Sequence, residues 1–259
     1  MNAGESTAAI EVRGMRIGPG MPKTIVSLMC QTDDELQRQA RTAVAAGTDC
    51  LEWRADFCDQ PLSHGDLVGA AAALREAVPA TPVIFTFRSK GEGGQRMLSN
   101  DDYSRLCEAA MLSGAIDFVD VELRRGDDLV RSLVHSAHQH GVLVIVSYHD
   151  FERTPTVNDM VDLLGRMDHL GADIPKLAVM AQSSEDALRL MQATAASREA
   201  LKKPLITMAM GREGTISRLA GEAFGSCLTF CALGSASAPG QVGLSQAIRV
   251  LQDLHEVFA

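Results

Sequence analysis

The chain has 259 residues, of which 46% are hydrophobic and 22% charged, with a net charge of −9. This is the composition of a globular protein with ample core. The acidic balance excludes a general nucleic-acid binder, which shows a basic footprint, and no apolar run approaches the ~18 residues needed to cross a bilayer.

The N-terminal residues MNAGESTAAIEVRG carry neither a basic n-region nor an apolar h-region, so no signal peptide is expected. The six cysteines, at 30, 50, 58, 107, 227 and 231, form no Cys-x-x-Cys pair. They read as reduced thiols of a cytoplasmic protein. Residues 8–22 suggest a β-hairpin ahead of the first main strand, able to plug a barrel floor.

Eight short apolar runs then recur: 24–30, 50–56, 82–88, 117–123, 142–148, 176–181, 204–210 and 227–233. They start roughly thirty residues apart, the length of one βα unit. Helical patterns lie between them at 34–47, 102–115, 128–141 and 184–200, and Gly47, Gly114 and Gly141 stand near helix ends. Strands alternating with helices imply parallel strands and crossovers, and eight such units are the count of a (β/α)8 barrel. No linker is visible, so residues 1–259 are expected to form a single domain. A doubly wound open sheet is the competing fold. Its dinucleotide-binding form places a glycine fingerprint after the first strand, where QTDDELQ stands instead. The run GEGGQR at 91–96 is a near miss to that fingerprint but follows the third strand.

In a barrel, the reactive groups gather at the C-terminal ends of the strands. There the sequence offers Glu52, Arg54 and Asp56, then Arg88 and Glu92, then Tyr148, His149 and Asp150, then Met208 and Met210 followed by Arg212 and Arg218. Such a density of charge suits a small, multiply polar substrate. Lys176 stands apart from the other four lysines because it opens an apolar strand. A buried ammonium is costly unless paired or neutralised. Burial and nearby positive charge lower a lysine's proton affinity, and a neutral amine attacks carbonyl carbon to give a Schiff base. Taken alone, Lys176 reads more readily as a lysine that snorkels to the strand end or pairs with a carboxylate than as a nucleophile. His149 is the natural proton shuttle, with an acid such as Glu92 to orient it. Arginine would clamp a carboxylate.

His135, His138 and His140 do not share one helix face, and no metal is expected. The loop at 235–243 is rich in small residues and could serve as a lid.

The segments LEWRAD, FTFRSKGEGG, DVEL, VSYHDFERTP, IPKLAVM, SRLAGEAFGS and SASAPGQ occur in this order. Together they make the chain resemble the type I 3-dehydroquinate dehydratase family, the third enzyme of the shikimate pathway, along nearly its whole length. The resemblance implies a cofactor-free, typically homodimeric barrel that dehydrates 3-dehydroquinate. In it Lys176 forms the imine, His149 moves protons and Glu92 pairs with His149. Glu52, Arg54 and Arg88 hold substrate hydroxyls, and Arg218 binds the ring carboxylate. Ser27, Met208, Met210, Phe230, Ser237, Ala238 and Gln241 line or close the pocket. Two alternatives remain: a Schiff-base aldolase acting on sugar phosphates, and a barrel that binds dehydroquinate without turnover.

Overall fold

In the computed structural model, residues 8–58 and 64–258 are described. The hairpin pairs β1 (Ile10–Val12) with β2 (Met15–Ile17) antiparallel. Its tight turn uses Arg13 and Gly14, both at positive φ. Arg13 Nε donates to Asp117 Oδ1 at 2.6 Å, which fastens the turn to the main sheet.

The eight expected strands all form: β3 (Lys23–Leu28), β4 (Cys50–Arg54), β5 (Val83–Thr86), β6 (Phe118–Glu122), β7 (Leu143–Asp150), β8 (Ile174–Met180), β9 (Ile206–Met210) and β10 (Leu228–Cys231). They pair in parallel in the order β10-β3-β4-β5-β6-β7-β8-β9. A bridge between Leu205 and Ser226 brings the two ends of the sheet together, with Cys227 N donating to Leu205 O at 2.9 Å. This is the (β/α)8 barrel anticipated from the strand count.

Nine helices lie among the described residues: α1 (Asp33–Ala45), α2 (His64–Ala77), α3 (Asn100–Leu112), α4 (Asp127–Gln139), α5 (Val157–His169), α6 (Ser184–Leu201), α7 (Thr215–Leu219), α8 (Gly221–Phe224) and α9 (Leu244–Phe258). Gly47, Gly114 and Gly141 follow α1, α3 and α4 at φ +89°, +65° and +68°, the left-handed stop that glycine adopts without strain.

Side chains alternate across each strand. Outward residues such as Val26, Trp53, Phe85, Val119, Val144, Leu177 and Ala209 join the helices in the main core. Inward residues Ile25, Cys50, Ile84, Phe118, Ile145, Ile174, Ile206 and Leu228 fill the floor of the barrel. Met15 and Ile17 of the hairpin pack into that same cluster, so the hairpin closes the floor.

At this end, a residue just before every second strand caps the strand before it. Asp49 accepts from Thr24 N at 2.7 Å, Asp117 from Val83 N at 2.8 Å, and Asp173 from Val144 N at 2.7 Å. Ser226 Oγ accepts from Thr207 N at 3.0 Å. Each satisfies a backbone donor at the start of a strand.

Candidate active site

Above the apolar floor, the inward positions become polar. The same alternation that faces Ile174 inward brings Lys176 and Ala178 in after it. Lys176 is therefore an interior residue although it lies near the start of its strand. The register sets it beside Ser147 on β7. Its Nζ donates to Asp120 Oδ2 at 2.9 Å, lies 3.7 Å from Glu52 Oε1 and sits 4.4 Å from the centroid of the Phe230 ring. Lys176 is 3% exposed. Glu52 is held in turn by Ser27 Oγ (2.6 Å) and Thr86 Oγ1 (3.0 Å).

Glu92 reaches the barrel mouth through the turn that follows Arg88. Gly93 there has φ +85°, and a Cβ on Gly94 would lie 1.8 Å from Arg88 O. The GEGG run is thus a tight return that brings Glu92 inward, with no dinucleotide-binding geometry. His149 answers from β7. Its backbone N–H donates to Glu92 Oε2 at 3.1 Å, and its Nδ1 lies 2.8 Å from the same oxygen. Burial pushes the Glu92 carboxyl up to about 8. Burial, then Arg88 and Lys176, hold His149 well below the usual imidazole range. The pair resists carrying two separate charges, and its shared proton comes within reach of neutrality, as a proton shuttle requires.

Arg88 ties these groups together. It contacts Asp120 at 2.8 Å, Glu122 at 3.2 Å and Glu92 at 3.7 Å, and donates to Ser147 Oγ at 2.9 Å. Burial alone would weaken its hold on its proton, but the surrounding carboxylates outweigh that and hold it above the usual range. Burial also opposes the charge of Asp120. Arg88 first, then Lys176, overcome it and keep Asp120 below the usual carboxylate range.

The opposite wall is apolar apart from one cation. Arg218, on α7, is 2% exposed. Its Nη2 donates to Pro239 O at 3.1 Å, while Nε and Nη1 have no hydrogen-bond partner. Burial pushes it down to about 10, so it still carries its charge at neutral pH. A buried guanidinium without a carboxylate partner calls for an anion. Met208, Met210, Phe230 and Ala238 line the cavity beside it. Gln241 Nε2 donates to Ser237 Oγ (2.8 Å), which donates on to Ser27 Oγ (3.1 Å), closing the loop over the site.

One cavity at the barrel mouth thus gathers Glu52, Arg54, Arg88, Glu92, His149, Lys176 and Arg218 with Ser237 and Gln241. Ser27 joins through its hydrogen bonds to Glu52 and Ser237. Three strand-end residues expected at the mouth lie elsewhere. Tyr148 faces outward and accepts from Arg124, Asp150 caps the loop backbone at Glu152 and Arg153, and Arg212 is exposed. Asp56 sits behind the site, forked onto Arg54 by two bonds of 2.8 Å. The structure adds Asp120, Glu122, Ser147 and Thr86. Polar residues at i and i+2 inside DVEL are the signal that marks the first two as facing inward. A separate groove lined by Phe87, Leu98, Leu106 and Leu112 lies away from this chemistry.

The fold and the site define a (β/α)8 barrel enzyme built around a buried amine, an imidazole–carboxyl pair and an unpaired guanidinium. A sequence model of the type I 3-dehydroquinase family matches residues 24–257, and the chain belongs to that family. A 3-dehydroquinate dehydratase of Salmonella agona is 45% identical over 95% of this chain and 98% of its own. The crystal structure of type I 3-dehydroquinate dehydratase from Clostridium difficile, with covalently modified comenic acid, superposes with a TM-score of 0.94 at 39% identity, covering 97% of this chain and 99% of that one. The 3-dehydroquinate dehydratase structure from Geobacillus kaustophilus gives the same TM-score and identity, over 97% and 98% of the two chains.

Proposed function

We propose that this chain dehydrates 3-dehydroquinate to 3-dehydroshikimate through an imine on Lys176. The observation that carries this reading is the buried amine of Lys176 sharing one cavity with the Glu92–His149 pair. Nζ attacks the C3 ketone and a water leaves, giving an iminium that withdraws electrons from C2. His149 takes the C2 proton. The electron pair forms the C1–C2 double bond as the C1 hydroxyl departs, and His149 returns the proton so that it leaves as water. Water then hydrolyses the product imine with His149 assisting, which frees Lys176.

Glu92 orients the imidazole. Glu52, Arg54 and Arg88 meet the substrate hydroxyls and maintain the charge network. The unpartnered nitrogens of Arg218 receive the ring carboxylate in bidentate fashion. The same feature disfavours an aldolase acting on sugar phosphates, and Lys176 with His149 disfavours a binding-only barrel. The loop at 235–243 acts as the lid. The reading extends to a homodimer working in the cytoplasm. All six cysteines are free, in keeping with a reducing compartment, and among the described residues no helix is long and apolar enough to cross a membrane.

The test is to mix the purified chain with 3-dehydroquinate and record the ultraviolet absorbance of the conjugated enone. A parallel sample is reduced with borohydride and mapped by mass spectrometry. Enone formation and an adduct on Lys176 are expected. No enone sinks the reaction, and an adduct on Lys90 instead sinks the imine assignment.

A further inference from the structure

Arg124 occupies the short turn after β6 and is half exposed at the edge of the barrel mouth. Its guanidinium carbon lies over the Tyr148 ring, 4.4 Å from the centroid, and its Nη2 donates to Tyr148 Oη at 2.8 Å. A ring contact and a hydrogen bond together fix a side chain that would otherwise sample many rotamers. The position so fixed brings Nε to 3.6 Å from Glu92 Oε1. That oxygen is buried and accepts no hydrogen bond, whereas its twin Oε2 receives both contacts from His149. Tyr148 and His149 are adjacent on β7, so one strand carries the imidazole inward and the mount for Arg124 outward.

We propose that Arg124, mounted on Tyr148, is a positioning residue that keeps the Glu92 carboxyl aimed at His149 through its contact with Oε1 and opposes its protonation. The inference rests on the reaction assigned above. Several charged groups face Glu92 besides Arg124: Arg88 from the end of β5, Asp120 and Glu122 from β6, and His149 from β7. Burial and the two acids favour the neutral carboxyl, while Arg88 and Arg124 favour the anion. Arg88 is already committed to Asp120 and Glu122. Arg124 has no such competing acid among its described contacts, and it is the one of the two cations that solvent and salt can reach.

The test is the pH dependence of turnover in the full chain, with direct nuclear magnetic resonance titration of Glu92 and His149 in the substrate-free protein. Arg124→Gln is expected to move the Glu92 titration upward by roughly 0.3–0.7 pH, the range for a partly exposed pair. In the parent, added salt screens the half-exposed guanidinium and moves the titration in the same direction. The Gln variant loses that response. Arg124→Lys restores part of the shift because it restores charge, and Tyr148→Phe shows part of the loss because it releases the mount. An unmoved titration in Arg124→Gln, or a shift that Arg124→Lys fails to reverse, overturns the proposal. The resonance titration needs no turnover, so failure of the assigned reaction and failure of this inference are read separately.

Discussion

Arg218→Lys isolates what the unpaired guanidinium contributes. Two of its nitrogens lack partners, and they suit the two oxygens of a carboxylate. Each such charge-assisted bond contributes about 1.5–3 kcal/mol. Lysine keeps the charge but not the fork, so one bond is lost. At about 1.4 kcal/mol per factor of ten, KM rises roughly 10- to 150-fold. The carboxylate takes no part in bond making, so its contact is uniform and kcat stays within a few-fold. Steady-state measurement of enone absorbance across substrate concentration separates the two parameters. Arg218→Met supplies the complement. It removes a buried cation that nothing neutralises, so the substrate-free protein is expected to melt higher, by about 2–4 °C for each kcal/mol recovered. A collapse of kcat at unchanged KM would place Arg218 on the transition state and send the search for the carboxylate clamp to Arg54 or Arg88. A lower melting temperature in Arg218→Met would refute the claim that its charge is uncompensated.

Lys176→Ala should abolish turnover and borohydride trapping while circular dichroism shows the barrel intact, because Asp120 retains Arg88 as a partner. His149→Ala should still form the covalent adduct, visible by intact mass, but turn over about 10²–10⁴-fold more slowly. Absence of adduct would make His149 a binding residue. Glu92 binds its proton more tightly folded than unfolded. Its contribution to stability is therefore full below its ordinary value of 4.5 and is lost as pH rises through about 8. Glu92→Gln removes that loss, so its melting temperature relative to the parent should climb between pH 4.5 and 8. A flat difference across that window would mean that Glu92 is not held in its neutral form.

Much of the fold was legible because the barrel strands are short, apolar and evenly spaced, and because glycines mark the ends of α1, α3 and α4. The alanine-rich α2 and the amphipathic α5 and α9 lie outside the four helical patterns expected from the sequence. The site was legible where chemistry is rare in a strand, as at Lys176 and His149. It was less so where direction mattered. Tyr148 and His149 are equally polar neighbours, and only the register of β7 sends one outward and the other in. The roles of Asp120, Glu122 and Ser147 are not local, because their partner Arg88 lies on another strand. Nothing local shows that one guanidinium will meet all three.

The aspartate and serine caps at the barrel floor divide the molecule into four two-strand quarters: β3–β4, β5–β6, β7–β8 and β9–β10. Between quarters the floor is stitched by backbone bonds such as Lys23 N to Cys227 O at 2.9 Å. In the proposed mechanism the third quarter owns the reacting groups, His149 and Lys176. The second owns the electrostatics, Arg88, Glu92, Asp120 and Glu122. The fourth carries the recognition surface, Met208, Arg218 and Phe230. The proposed site is therefore assembled across seams. A one-residue slip at the seam between β6 and β7 would turn His149 out of the barrel while leaving every quarter internally sound. The partition is not complete, since Phe230 of the fourth quarter packs against the Lys176 amine of the third. Among the described residues Arg218 makes no such contact, so it is the part of the recognition surface that can change most freely.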